Sequence, residues 1–385
     1  MKFLYYSTAY HADHGGSIQS IEFFNHLADF DAIEDKKVFP ASMHNIEPKK
    51  NLKYKLRILL RKIPLLQILF FYRRNKMHLI ALEEFIDEYN PDVLMLQIDS
   101  NFLQIEKLKI RYPNLLVITQ VNGSPFDEPF KNIAFKKYFL RRQQIMYAQA
   151  DFNFFISNFL RERIMGEELY EKRDIVVHNG TDINKFKPLY KKNVLRESYN
   201  YPVDKILLGY IGTLDHHKKM DLLINSLNNL SDEIKDLMLV IIGDGPGMPQ
   251  IKNIIADLGL QNRVILKGWI DHDSINEHLN CFDIAIHHHA NDYMSPLKLF
   301  EYLAAGLPVI GPKIPAVEEI FVDGNEIILT KANIKDISER IRSLLTNKKK
   351  MESLAKIGPE IIKQKFTWHF YTKSIIRKIV DNKER

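Results

Sequence analysis

The stretch Ser295-Pro296-Leu297-Lys298-Leu299-Phe300-Glu301-Tyr302-Leu303-Ala304-Ala305-Gly306-Leu307-Pro308-Val309-Ile310 says more about structure than any other part of the chain. It opens like a helix. Ser295 can cap, and Pro296 in the first turn forgoes an amide hydrogen bond that the position does not need. The unbonded amides around Leu297 and Lys298 then form a site for an anion such as a diphosphate. Glu301, one turn deeper, can accept hydrogen bonds from a ribose diol. Gly306-Leu307-Pro308 ends the helix and feeds the apolar Val309-Ile310. A helix delivering the chain into a buried strand is the unit of an α/β fold. The same residues also suit an ordinary helix-to-strand connection, so the decision rests on the surrounding chain.

Strand signals recur on both sides of this stretch, with room for a helix between each pair. In the first half they fall at Lys2–Ser7, Asp92–Gln97, Leu115–Val121, Phe152–Ile156 and Ile175–Val177. The second half adds Ile206–Ile211, Leu239–Ile242, Val264–Leu266, Asp283–His287 and Pro308–Ile310. Most are continuous apolar runs, as parallel strands covered on both faces require. Ile251-Ile254-Ile255-Leu258 and Leu222-Leu223-Leu227-Leu230 carry helical spacing. Two such series predict two Rossmann-like, doubly wound domains, with ligands gathered at the carboxyl ends of the strands. The polar Lys185–Asp204 segment, with Pro188 and Pro202, is the expected junction.

The length of 385 residues suits two or three domains, and 45% apolar with 26% charged residues is globular composition. No apolar run approaches the ~20 residues of a membrane-spanning helix. The start, Met1-Lys2-Phe3-Leu4-Tyr5-Tyr6, lacks the pattern of a secretory signal. Cys281 is the single cysteine, which excludes an intrachain disulfide and suits a reducing cytosol. A net charge of +6 is too small to make the chain a nucleic-acid binder.

The charge is unevenly spread. Pro48 to Leu82 holds ten Lys or Arg and no acid, interleaved with Leu, Ile, Phe and Tyr. Such a segment can lie in the headgroup region of an anionic membrane, or form a solvated basic helix with a core-facing stripe. Lys131, Lys136, Lys137, Arg141 and Arg142 extend the same character, and Pro64 is expected to split the first segment into two helices.

The quoted stretch resembles the signature of the retaining glycosyltransferases of the GT-B class, family four (glycosyl transferases group 1). The likeness extends over most of the chain in the family's order. His14-Gly15-Gly16-Ser17 is similar to the glycine loop after the first strand, which approaches the donor phosphates and the acceptor. Asp151 to Ser157 resembles the last strand of the N-terminal domain. His178-Asn179-Gly180-Thr181-Asp182 with Phe186-Lys187-Pro188 resembles the exit to the linker. Gly212-Thr213-Leu214 through Lys218 to Asp221-Leu222-Leu223 resembles the Gly-Arg-Leu…Lys-Gly-x-Asp-Leu-Leu element. Gly243-Asp244-Gly245-Pro246, then Arg263-Val264 and Gly268, follow in order, and Phe366-Thr367-Trp368 is similar to the start of the terminal helix.

The resemblance implies an α/β GT-B architecture of two Rossmann-like doubly wound domains facing across a cleft whose closure excludes water. Residues 1–188 would bind acceptor, 189–365 the nucleotide sugar, and 366–385 would form a helix returning to the first domain. It implies transfer of a sugar from a nucleotide-diphosphate sugar, with retention, to a glycan or lipid-linked acceptor, without metal or cofactor. With the basic segment 48–82, this places the protein in the cytoplasm, peripheral on the inner face of the membrane. A nucleotide-sugar epimerase or hydrolase of the same fold is one alternative. A catalytically weak, membrane-associated nucleotide-sugar-binding partner is another.

Residue by residue, the resemblance assigns Lys218 to the diphosphate, Glu301 to the ribose, and Gly15, Gly16 and His14 to the donor phosphates and acceptor. Ser295, Pro296, Leu297 and Gly243 would line the donor site, and Trp269 and Ile270 would line the base pocket or form a buried strand end. Three positions depart from the pattern. Thr213 replaces an arginine of the diphosphate clamp, and Lys298 is placed to supply the missing charge. Tyr293 stands eight positions before Glu301, where the family has a sugar-binding glutamate. A phenol cannot accept two charge-assisted bonds from a diol, so Asp292 or the amides of Met294 and Ser295 would serve instead. Asn122 replaces a histidine beside the reacting sugar and cannot titrate near neutral pH.

Other signals carry less. Gly243-x-Gly245-x-Gly247 is close to the dinucleotide fingerprint, but its third glycine comes one residue early. His287-His288-His289 reads as strand-end packing or a sugar contact before it reads as a metal site. Asp271-His272-Asp273 reads as a polar helix cap before it reads as a metal pair.

Overall fold

The computed structural model describes residues 1–8, 10, 15–40, 63–97, 104–124 and 133–383. The chain forms two compact units, Met1–His178 with Tyr371–Arg385, and Asn179–Phe370. The segment after His178 packs with the second unit, although the sequence reading draws the boundary after Pro188. Main-chain geometry accounts for this: Thr181 N donates to Phe366 O, and a Cβ on Gly180 would lie 2.6 Å from the Thr367 carbonyl carbon.

The first unit contains β1 (Lys2–Ser7), β2 (Asp35–Phe39), β3 (Val93–Gln97), β4 (Leu116–Val121), β5 (Phe152–Phe155) and β6 (Asp174–Val176). They form a parallel sheet in the order β2-β1-β3-β4-β5-β6. The second unit repeats the plan with β7 (Ile206–Ile211), β8 (Leu237–Ile242), β9 (Val264–Gly268), β10 (Ile284–Ile286), β11 (Val309–Pro312) and β12 (Ile328–Thr330). Its order is β12-β11-β10-β7-β8-β9, again parallel. The architecture is α/β and doubly wound, twice over.

The apolar runs are buried on both sides, as parallel strands must be. In β8, Leu237, Leu239 and Ile241 enter one core with Leu223, Ile224 and Leu227. Val240 and Ile242 point the other way, into a core shared with Leu299, Phe300 and Leu303. Strands β2 and β12 escape the sequence reading. Both are edge strands, and neither carries the long apolar run that double coverage imposes: β2 is Asp-Lys-Lys-Val-Phe, and β12 is three residues long.

Pro64 is the first residue of the helix Pro64–Tyr89, where a missing amide costs nothing. The helix expected before it falls outside the described residues. In the second unit the chain fills the sheet from β7 toward β9, then restarts on the other side of β7 with β10. This reversal leaves a crevice at the carboxyl ends of β7 and β10, the usual ligand position in such sheets.

A candidate anion site at the carboxyl ends of β7 and β10

Glycines let two loops meet main chain to main chain at this crevice. Gly212 N donates to Ile242 O at 2.9 Å and Gly243 N to Gly268 O at 2.7 Å. Leu214 N donates to Asp244 O at 3.0 Å, and Gly247 N to Leu214 O at 2.7 Å. A Cβ on Gly243 would stand 2.0 Å from Gly212 O, and one on Gly247 2.5 Å from Leu214 O. The glycine series that approaches a dinucleotide fingerprint is therefore used to seat the β8 loop on the β7 loop.

Lys298 occupies the space that Gly212 leaves empty. A Cβ on Gly212 would lie 2.2 Å from Lys298 Nζ, and that ammonium sits 4.9 Å from the centre of the Tyr210 ring. Burial pushes its pKa down to about 7, with repulsion from Lys218 adding to the fall and Glu301 opposing it. Lys218 is shifted down too, by burial, with Asp215 offsetting. Among the described residues, neither ammonium has a carboxylate within 4.0 Å. Two partly buried cations that repel each other, with no described carboxylate in ion-pair contact, are a costly arrangement without an anion.

The histidines beside them stay neutral. Burial first, then Lys298, holds His287 well below its ordinary pKa, and burial brings His288 down to about 4. His288 Nε2 lies 2.9 Å from Lys219 O, and both rings pack about Tyr210 at centroid distances of 6.1 and 6.2 Å. This is strand-end packing, and neutral rings add no charge to the cation pair.

The helix Leu297–Ala304 begins one residue later than the sequence suggests. Pro296 is its N-cap, with extended backbone and no side-chain cap bond, and Ser295 Oγ is buried without a partner. Ser295 contributes its carbonyl instead, which accepts from Asn179 Nδ2 at 2.8 Å. The cause lies in the backbone of Pro296, which is itself extended, so helical geometry starts only at Leu297 and Ser295 falls one residue outside the cap. The Leu297 and Lys298 amides remain open at the helix start, as expected.

Tyr302 ties this helix to β7. Its hydroxyl accepts from Ile211 N at 2.9 Å and lies 3.3 Å from Ile211 O. Tyr302→Phe is expected to lower stability by about 1 kcal/mol, because it strands a partly buried amide. Urea unfolding measures this, and an unchanged midpoint would show that the bond contributes nothing.

Glu301 sits one turn from the helix start. His272 Nε2 lies 3.2 Å from Glu301 Oε1, and Lys185 Nζ lies 2.7 Å from His272 Nδ1 and 2.7 Å from Asp273 Oδ1. An ammonium can only donate, so Nδ1 accepts and Nε2 carries the proton toward Glu301. Asp271 caps its turn by accepting from Asp273 N at 2.9 Å, so the Asp-x-Asp pair is a cap. His272 is the residue the sequence reading missed here, because its partners Lys185 and Glu301 come from distant segments.

The structure thus brings Lys218, Lys298, Gly243, Pro296, Leu297 and Glu301 to one crevice. Thr213 is exposed beside it, whereas Tyr293 is buried at 8% exposure. Trp269 is 71% exposed, which removes the buried strand-end reading for it, while Ile270 packs partly on the core. Asn122, Gly15 and Gly16 belong to the first unit. Asn122 Nδ2 donates to Gln19 Oε1 on the helix Gly15–His26, and its Oδ1 is buried without a partner. His14 lies outside the described residues.

Paired six-stranded parallel sheets of this order define the GT-B glycosyltransferase fold. The crystal structure of Anabaena HepE in complex with UDP superposes on it with a TM-score of 0.75 at 16% identity, covering 99% of this chain and 100% of that one. Residues 191–361, nearly all of the second unit, match the model of the family glycosyl transferases group 1. An uncharacterized glycosyltransferase of Methanocaldococcus jannaschii is 22% identical over 265 residues, 68% of this chain and 67% of its own length. Chitobiosyldiphosphodolichol beta-mannosyltransferase of Debaryomyces hansenii is 23% identical over 235 residues, 55% of this chain. The chain spans only 49% of that relative's length.

Proposed function

We propose that the protein is a retaining glycosyltransferase moving a sugar from a nucleotide-diphosphate sugar to a glycan or lipid-linked acceptor, in polysaccharide or glycoconjugate assembly. One observation carries this reading: Lys218 and Lys298, neither with a carboxylate within 4.0 Å among the described residues, flank the open amides of Leu297 and Lys298. Charge builds on the diphosphate as it leaves the anomeric carbon, and fixed donors aimed there lower the barrier. Glu301, oriented by His272 through one oxygen, keeps the other for a ribose hydroxyl. Lys298 takes the place of the cation that Thr213 lacks, so two ammonium groups rather than a metal meet the charge. HepE was crystallised with UDP, and the Debaryomyces relative is named for a diphosphodolichol acceptor; both agree with the donor and acceptor classes proposed.

The test is thermal stabilisation across uridine, guanosine and adenosine diphosphate sugars. A ligand at 100 times its dissociation constant stabilises by about 2.7 kcal/mol. No shift with any of the three would remove the reading. Tyr293, whose buried phenol replaces a sugar-binding carboxylate, favours a catalytically silent nucleotide-sugar binder as the second reading. Hydrolysis of donor in the absence of acceptor separates the two.

Donor binding is expected to weaken above pH 7. An empty-site Lys298 with a pKa of about 7 must take up a proton to meet the diphosphate, so the dissociation constant rises up to about tenfold per pH unit. The empty protein shows the opposite sign. Between about pH 7 and 10 the unfolded lysine holds a proton the folded one has released, so stability rises with pH. Calorimetry in buffers of different ionisation enthalpy should find net proton uptake at pH 8, and none would contradict the assignment.

We further propose that the first unit rests on an anionic membrane at the cytoplasmic face. On the helix Pro64–Tyr89, Leu69, Tyr72 and Ile80 are exposed along one stripe with Arg73 and Lys76, while Leu82, Ile86 and Tyr89 turn inward. No described helix is long and apolar enough to cross a membrane. Replacing the ten basic residues between Pro48 and Leu82 by glutamate should abolish binding to phosphatidylserine liposomes. Binding that survives would refute the membrane claim.

A further inference from the structure

The first unit contains a cavity of about 720 Å³, bounded by the helices Pro64–Tyr89, Ile105–Arg111 and Lys136–Ala148. Packing defects in protein interiors seldom exceed a water molecule, whereas ligand pockets occupy roughly 300–1,000 Å³. The lining is mixed in chemistry. Arg73, Lys76, Lys107 and Arg142 contribute four cations against the one carboxylate of Glu106. No described acid pairs with any of the four within 4.0 Å, although they come from three separate helices. Leu79, Phe139 and Met146 add apolar surface to the same lining. Tyr72 joins the two: its ring lies 6.3 Å from that of Phe139, and Arg142 acts electrostatically on its hydroxyl.

Four cations without a described carboxylate partner ask for a multivalent anion, which phosphate supplies through several charge-assisted bonds. The apolar lining residues ask for hydrocarbon on the same molecule. A free phosphate leaves the apolar lining unused, and a neutral lipid leaves the cations unmet. Continuity with the exposed stripe of Leu69, Tyr72 and Ile80 on the same helix supplies the route of entry.

We propose that this cavity is a saturable site for a single phosphate-bearing membrane lipid, the headgroup held by Arg73, Lys76, Lys107 and Arg142 and the upper chain lying against Leu79, Phe139 and Met146. The site goes beyond general attraction to an anionic surface, since it recognises one lipid molecule in solution, and it is independent of the donor site.

Dihexanoyl phosphatidic acid below its micelle concentration is the probe, titrated calorimetrically into the full chain alongside inorganic phosphate and dihexanoyl phosphatidylcholine. One-to-one saturable binding is expected for phosphatidic acid, at least tenfold tighter than for either comparison. The double variant Lys107→Gln with Arg142→Gln alters two exposed side chains outside residues 48–82 and is expected to weaken it at least tenfold. The variant should keep its melting temperature and its thermal shift with nucleotide sugars, so failure here is distinguishable from failure of the transferase or liposome readings. Phosphate binding as tightly as phosphatidic acid would overturn the proposal by leaving the chain no role. So would undetectable binding, or a folded double variant that binds like the parent.

Discussion

Lys298→Met is expected to lower turnover by roughly 100- to 1,000-fold, the usual cost of removing one preorganised donor from a developing negative charge. The replacement preserves length and apolar packing and removes only the ammonium. Because that ammonium is held near neutrality by burial and by Lys218, the empty protein should melt no lower than the parent. The pH dependence of donor binding above pH 7 should disappear with it. The site also explains why Lys298→Arg should not restore turnover: the ammonium stands where a Gly212 Cβ would be, 2.2 Å away, and a guanidinium fork is too large for that space. A Lys298→Met protein with full turnover would leave the proposed diphosphate clamp without its main support.

Gly243→Ala carries the second large effect, and it acts through the backbone. Gly243 has φ +134°, and its Cβ would meet Gly212 O at 2.0 Å, a main-chain atom that cannot swing aside. Conformational strain and overpacking together should cost about 3 kcal/mol or more. For a unit of this size, about 2–4 °C per kcal/mol implies a melting temperature lower by roughly 6–12 °C. The thermal shift with donor should vanish as well, because the loop that seats Gly212 also makes room for Lys298. Gly268→Ala is the control. Its φ is +71°, but nothing lies within 4 Å of the added carbon, so only conformational strain of about 1 kcal/mol is expected. Equal losses in the two variants would mean that the close approach of the two loops is unimportant.

Strands such as Ile206–Ile211 were legible because a strand buried on both faces must be apolar throughout, a local property of the chain. Edge strands β2 and β12 meet no such demand and left little signal. Part of the site was legible for a similar reason: open amides after Pro296, and Glu301 one turn on, follow from helix geometry alone. Ser295 shows the limit. Its residue type favours capping, yet Pro296 keeps an extended backbone and takes the cap position itself, and the Ser295 hydroxyl ends buried without a partner.

Local chemistry, then, settled which segments are strands and helices, that there are two such series, and that a helix start near Lys298 would attract an anion. Folding settled the rest, because those properties belong to pairs of residues far apart in the chain. Gly212 matters for the ammonium of Lys298, His272 for the proton it turns toward Glu301 under Lys185, and the cavity between three helices for cations that no single helix supplies. Distances across the fold, and the exclusion of water that shifts Lys298 toward neutrality, exist only once the sheets have assembled.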